Sequence, residues 1–384
     1  MSTSVRRMNS DECIDLNRNL TRKTVQRDLH TKVQNLPETT SSHSTAYHRD
    51  KTASMAQNFN KIFVYGSSVA LIAVILYGVR KYRSKSWGRC TNKESLVGKT
   101  VLITGANSGL GYETAKELSL RGADIIMACR NKDLAQKAIT KIENSNISNK
   151  LLFIEVDLGC LDSVVKFSST VAQKYSKIDI LVNNAGVSIP NKQKMTTPDG
   201  LEIHFGVNYL SHFLLTTLMM PLLEKAGHAR VINVSSQLHQ RGSVNLEDIN
   251  YEKHPPKRAY ADSKLQQIYF GQELANKTMN KSIQVYNLCP GWVYTNLFRH
   301  SIRNVFKLMF AIPVAFFFMR SAKQGAQTII YCATEPALKE ESGKLYRDCH
   351  RSTSTYEFTP TEREQLWTVS KDLIESKGIK VPEI

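Results

Sequence analysis

The run Tyr260-Ala261-Asp262-Ser263-Lys264 sets a phenol and an ammonium four residues apart, which is one face of a helix. A phenol with a pKa near 10 is a poor acid or base at neutral pH unless a neighbouring cation stabilises the phenolate. Lys264 is spaced to be that cation. Such a pair is common in helices and says little alone, so its force comes from what precedes it. Ser235 ends the apolar run 230–235 one loop upstream, and Asn208 sits farther back in a helix-forming stretch. Asn208, Ser235, Tyr260 and Lys264 form the candidate reactive set, suited to passing a proton to or from a substrate oxygen.

A second group is suited to holding a dinucleotide. Thr104-Gly105-Ala106-Asn107-Ser108-Gly109-Leu110-Gly111 joins an apolar strand-like run to a helix-like one. Glycines there permit a tight turn and let the backbone approach a pyrophosphate at the helix N-terminus. The next strand-like run ends in Ala128-Cys129-Arg130-Asn131. A carboxylate at this point would bind ribose hydroxyls and favour NAD, whereas Arg130 is placed to pair with a 2′-phosphate and favours NADP(H). Asp157, in Val156-Asp157-Leu158, is placed to accept from an adenine amino group. The small residues of Asn183-Asn184-Ala185-Gly186 let the chain pass close to a ribose.

The elements that must carry these residues follow from periodicity. Runs at 101–104, 124–128, 151–156, 178–182, 230–235 and 283–288 read as buried parallel strands. Helix-like segments near 109–121, 131–144, 160–176, 201–225 and 259–280 alternate with them. That alternation predicts a Rossmann-type, doubly wound α/β fold, a single catalytic domain over 98–384. Residues 1–60 are polar without sustained period and read as a disordered extension. From Ile62 to Val79 the chain carries no charge, and eighteen residues at 1.5 Å give about 27 Å, enough for a bilayer core. The anchor is therefore placed at 61–80 and a basic linker at 81–97. Arg80, Lys81, Arg83 and Lys85 follow the span more densely than Arg49, Lys51 and Lys61 precede it, which puts the larger domain in the cytosol.

The net charge of +17 is spread along the 384 residues with no nucleic-acid motif, and is read as a basic face toward lipid head groups. Seven scattered cysteines without a CxxC pair give no pattern of a disulfide framework or a zinc site and fit a reducing compartment with mostly buried thiols. His239 near Ser235 has no GxSxG elbow and reads as a surface histidine. The apolar run 305–319 contains Lys307 and Pro313, which disfavours a second span. It reads equally as a buried helix or as a substrate lid, about 300–322, that dips into the bilayer surface.

The blocks TGANSGLG, MACRN, VDL, NNAG, NVSS, YADSK and PGWVYT, in this order, resemble the short-chain dehydrogenase/reductase family. Within it, CPGWVYTNL, QGAQTIIYCA and SGKLYRDC are similar to the membrane-anchored, NADP-preferring retinol dehydrogenases. The resemblance implies that Ser235 hydrogen-bonds the substrate oxygen and Tyr260 donates or accepts the proton. It further implies that Lys264 holds the nicotinamide ribose and lowers the Tyr260 pKa, and that Asn208 positions a relay water. Pro290, Gly291, Val293 and Thr295 would cradle the carboxamide. Trp292 and the long N-terminal extension depart from the pattern. The implied activity is NADP(H)-dependent interconversion of a lipophilic alcohol and its carbonyl, retinol and retinal first, with steroid, lipid-aldehyde or polyprenoid carbonyls as the alternative and an inactive membrane scaffold as a remote one. The implied setting is the endoplasmic reticulum membrane, or else a mitochondrial one, and a homodimer is allowed. No metal site is expected.

Overall fold

A computed structural model of the chain describes residues 41–145, 149–190, 195–293, 319–354 and 358–384, with 41–48 and 50 by backbone alone. The chain divides into two units, one ending at Ile75 and the other spanning Leu76–Ile384. Helix α1 (Ser41–Ser84) starts in the first and ends in the second.

Helix α1 is long and apolar enough to cross a membrane. Its side chains Ile62, Phe63, Val69 and Leu71 are each more than 60% exposed, although burial of such groups is what stabilises a helix in water. The extension expected to be irregular to residue 60 is helical from Ser41 onward. Good helix formers such as Ala53, Met55, Ala56 and Gln57 explain this, because adding turns to an existing helix avoids the cost of nucleation.

The second unit is built on one eight-stranded sheet. Its strands are β1 (Thr100–Thr104), β2 (Asp124–Cys129), β3 (Leu151–Glu155), β4 (Ile180–Asn183), β5 (Ala229–Val234), β6 (Ile283–Cys289), β7 (Leu345–Arg347) and β8 (His350–Ser352). Their order is β3-β2-β1-β4-β5-β6-β7-β8, parallel throughout except for the β7–β8 hairpin. Strand order reverses between β1 and β4, and ligands of such sheets bind in the crevice at the strand C-termini there. Side chains alternate between two cores. Leu102, Ile126, Leu181 and Val231 face α4 (Leu161–Lys174), α5 (Ser211–Glu224) and α6 (Ala259–Lys277). Ile103, Met127, Val182 and Ile232 face α2 (Gly109–Leu120), α3 (Lys132–Glu143) and, beyond the four-residue α7 (Ala322–Gly325), α8 (Gln327–Thr334). Helix α9 (Pro360–Glu375) starts at a capping box of Thr359 and Glu362 and stacks Trp367 on Phe270 and edge-on to Phe213.

One polar feature sets the height of the site. Asn183, Asn233 and Asn287 lie in register across β4, β5 and β6, fully buried. Asn183 Nδ2 donates to Asn233 Oδ1 at 2.9 Å, and Asn233 Nδ2 to Asn287 Oδ1 at 3.2 Å. Helix α6 crosses this row at Gly271, where a Cβ would strike Asn287 Oδ1 and Asn233 Nδ2. The missing side chain lets α6 sit low on the sheet, which brings Tyr260 and Lys264 down to the ends of β4 and β5.

Candidate active site

The loop between β1 and α2 forms the first wall. Gly105 (φ 67°) and Gly109 (φ 56°) occupy the left-handed region, which residues with a Cβ avoid. A Cβ on Gly111 would strike Gly105 O and Asn184 Nδ2, so the loop closes tightly on the segment leaving β4. Thr104 is buried beneath it, and its hydroxyl accepts from the backbone N–H of Asn184 and of Ala185, both at 2.9 Å. Ser108 makes no side-chain cap bond at the start of α2, leaving first-turn amides for an anion. Asn107, half-buried, and the exposed Ser108 lie on this rim, and Leu110 packs with Val293 around Gly325. Burial pushes the Cys129 thiol up to about 11, so it stays neutral although the loop amides of Asn107, Ala106 and Gly105 point at it.

The β2–β3 end is open. The Arg130 side chain is 73% exposed, with its guanidinium 3.9 Å from Asp157 Oδ1. Asp157 also accepts from Gly159 N at 2.9 Å, and Leu158 is buried in the core behind it. No carboxylate stands at the position of Arg130.

The reactive set comes together between β5, α6 and the turn before α5, with one exchange. Asn208 lies fully buried in a π-helical turn (Phe205–Leu210), a widened turn often found at functional sites. Its Oδ1 accepts from Val187 N at 2.7 Å, and its Nδ2 donates to Val187 O at 3.1 Å and to Ser263 Oγ at 3.0 Å. Lys264 is buried, and its Nζ donates to Val234 O at 3.0 Å and Gln267 Oε1 at 2.9 Å. A Cβ on Gly186 would lie 3.2 Å from Asn208 Oδ1 and 3.5 Å from Lys264 Nζ, so Gly186 keeps the space before both atoms open. Burial lowers Lys264 to about 7.

The exchange concerns the serine. Ser235 is buried and turns its hydroxyl to Lys264 O at 2.7 Å, away from Tyr260. Ser236 shares the side-chain hydrogen bond with Tyr260. Ser235 N still bonds across the sheet to Leu288 O, whereas Ser236 caps the next short 3₁₀ turn. The chain leaves β5 at Val234 and turns, sending the Ser235 hydroxyl to the Lys264 peptide and the Ser236 hydroxyl to the phenol. Burial raises Tyr260 to about 12 despite the Ser236 bond, so the phenol is protonated at neutral pH. The Lys264 Nζ faces Val234 O and Gln267 Oε1.

Two further readings change. His239 is buried rather than at the surface, its Nδ1 2.6 Å from Ser236 O. His204, which the sequence did not single out, sets its ring edge-on to Tyr260 at 6.1 Å. Pro290, Gly291 and Val293 line the end of β6. A Cβ on Gly291 (φ 78°) would meet the guanidinium of buried Arg320, itself ion-paired with Asp348. Trp292 is 56% exposed. Thr295 and the apolar run to residue 318 lie outside the described residues. The described cysteines are free, and all but half-buried Cys160 are buried. Among the described residues no cluster could hold a metal ion.

A glycine-lined cradle over an uncapped helix end, facing a lysine and a protonated phenol, fits a nicotinamide dinucleotide beside a substrate oxygen. The short chain dehydrogenase model matches residues 99–305. The chain belongs to the short-chain dehydrogenase/reductase family. Human retinol dehydrogenase 11 is 37% identical over 298 residues, covering 77% of this chain and 91% of the relative. Mouse retinol dehydrogenase 13 is 35% identical over 292 residues, 75% and 87% of the two chains. Among solved structures, an uncharacterized protein from Mycobacterium paratuberculosis aligns at TM-score 0.58 and 30% identity, covering 76% of this chain and 97% of its own. The Pseudomonas aeruginosa RhlG/NADP active-site complex shares the fold at TM-score 0.53 and 24% identity, covering 65% and 94%. This short-chain dehydrogenase/reductase is thus an oxidoreductase of CH–OH groups and their carbonyls that uses a nicotinamide cofactor.

Proposed function

We propose that this protein is a membrane-anchored reductase that takes NADPH and converts a lipophilic carbonyl, retinal first, to its alcohol. The observation that carries the reading is the buried Tyr260 beside Ser236, whose pKa burial raises to about 12, so that it meets a carbonyl protonated and able to donate at neutral pH. When bound, the dinucleotide supplies the hydride. Tyr260 gives its hydroxyl proton to the carbonyl oxygen, and the Ser236 hydroxyl beside it steadies the charge growing on that oxygen. Lys264 holds the cofactor ribose in the space that Gly186 leaves open, and Asn208 braces the segment on which the ribose rests. Ser235 acts indirectly, tying the Lys264 peptide to the end of β5. Thr104–Gly111 and Asn184–Gly186 cradle the dinucleotide, Pro290–Val293 and Thr295 its carboxamide end, and Asp157 and Leu158 its adenine.

Arg130, with no acid at its position, supports NADPH over NADH. The names of the curated relatives support retinal, and the uncovered apolar side chains of α1 support a single span over 62–79. The denser basic residues after that span support a cytosolic catalytic domain on the endoplasmic reticulum. The test uses full-length protein in detergent, NADPH or NADH, and all-trans-retinal beside a steroid ketone and a medium-chain aldehyde. NADPH-dependent retinal reduction is expected. Binding of NADPH without turnover of any carbonyl would overturn the reading.

A further inference from the structure

Past Asn183 the chain leaves the sheet, and the amides of 184–189 lose their ladder partners. Buried amides still need acceptors. Three residues at four-residue spacing, His204, Asn208 and His212, hold the amides of 184, 185, 187 and 189 from one side, the first two through Thr104. His204 Nε2 accepts from Ile189 N at 2.9 Å. Asn208 takes Val187 N and returns a bond to Val187 O. His212 Nε2 lies 2.9 Å from Thr104 Oγ1, the hydroxyl that accepts from Asn184 N and Ala185 N. All three side chains are at most 2% exposed.

The partners fix the hydrogens. His212 Nδ1 lies 3.0 Å from Asn208 O, which only accepts, so Nδ1 carries the proton and Nε2 is the acceptor. The Thr104 hydroxyl uses its lone pairs on two amides, and its proton goes to Nε2 at 2.9 Å in preference to the other acceptor in reach, Val182 O at 3.4 Å. A one-way chain runs from the amides of Asn184 and Ala185 through Thr104 and His212 to the Asn208 carbonyl. His204 is fixed likewise, with Nδ1 donating to Glu202 Oε1 at 2.7 Å and Nε2 accepting from Ile189. Glu202 also caps the π turn through His204 N and Phe205 N, so this histidine is tied at both ends. Burial lowers His212 to about 4, which keeps it neutral.

We propose that His204 and His212 are positioning residues that hold the 184–189 segment as the floor of the cleft, His212 serving the cofactor end and His204 the substrate end. The division follows from place. His212 acts through Thr104 on Asn184 and Ala185, beneath the glycine loop. His204 acts on Ile189, and its ring lies against Tyr260. The inference rests on the assignment of Tyr260 and Lys264 to the reacting end.

The test compares His212→Phe and His204→Phe, which keep an aromatic ring and remove the bonds, with His204→Gln, whose amide oxygen can still accept from Ile189 N. NADPH Kd is read by nicotinamide fluorescence, which needs no turnover, and retinal KM at saturating NADPH. His212→Phe is expected to weaken NADPH about tenfold while retinal KM stays within about twofold, the loss typical of an unmade buried bond. His204→Phe is expected to do the reverse, and His204→Gln to recover most of the retinal KM. Thr104→Val, which removes the acceptor of Asn184 N and Ala185 N itself, should weaken NADPH at least as much as His212→Phe, and the double variant should lose less than the sum of the two, because His212 acts only through Thr104. Equal changes in both constants for both variants would overturn the proposal, as would constants unchanged in a protein that is merely less heat-stable. If a phenylalanine variant does not fold, amide hydrogen exchange of His204→Gln and wild type decides: Ile189 must be protected in both, and fast exchange in wild type contradicts the bond. A wild type that turns over no carbonyl would fail the functional reading, while the NADPH Kd arm would still judge His212.

Discussion

The two ends of the cleft are built by opposite means. Around Lys264 the polar groups of Asn208, Ser235, His212 and Lys264 are almost wholly buried and matched to named partners. At the β2–β3 end, Arg130 stands 73% exposed with one long contact to Asp157. Proton transfer needs atoms held within tenths of an ångström in a dry site, so it is built into the core. In the proposed preference for NADPH, choosing between a ribose hydroxyl and a phosphate needs only a charge in reach, which an exposed arginine at a strand end would supply. The first kind of site costs stability, since a buried ammonium and phenol must be desolvated, and the second costs little.

The sharpest break in this comparison is the pair of serine variants. Ser236→Ala should lower kcat about 10²–10³-fold, as losing a donor to a developing oxyanion does. Ser235→Ala should leave kcat within a few-fold and remove about 0.5–1.5 kcal/mol of stability, the value of an ordinary hydrogen bond. A reversed order, read by steady-state kinetics beside thermal melts, would return Ser235 to the reacting oxygen. Next in size, Arg130→Ala should weaken NADPH by about 1.5–3 kcal/mol and barely alter NADH, measured by fluorescence titration. A wild type that prefers NADH would refute the open-end assignment.

The smallest effect concerns the cost of the closed end. The folded pKa of Lys264, about 7, lies below the roughly 10.4 of an unfolded lysine. The unfolded chain then binds more protons between those values, and stability rises with pH across that window. Lys264→Met should therefore melt higher than wild type at pH 6.5 without cofactor, by about 2–4 °C per kcal/mol relieved. The gap should narrow toward pH 9. Calorimetric scans at the two pH values check it, and a constant gap would mean that the ammonium is not desolvated.

Much of this was legible in the residues. The strand–helix alternation, the glycine loop and the spacing of Tyr260 and Lys264 are local patterns, and the sheet order carries them to one edge. What escaped depends on tertiary contact. Ser235 and Ser236 are chemically alike, and only the folded turn after β5, which gives the Ser235 hydroxyl to Lys264 O, decides which meets the phenol. Strands β7 and β8 have three residues each, too few for a period, and their turn puts Asp348 and Cys349 at positive φ without a glycine to mark it. His239 reads as a surface histidine, and it, His204 and His212 are seen to be core only once the segment after β4 and the turn after β5 are in place.

The proposed reduction turns on Tyr260 as the proton donor at the closed end. Its most direct test is the single-turnover rate of NADPH oxidation by Tyr260→Phe with all-trans-retinal, measured by stopped flow beside the NADPH Kd. Removing the hydroxyl while keeping the ring should leave the Kd within about twofold and slow the rate about 10²–10⁴-fold, the usual contribution of a general acid. A variant that oxidises NADPH at near the wild-type rate would contradict the claim.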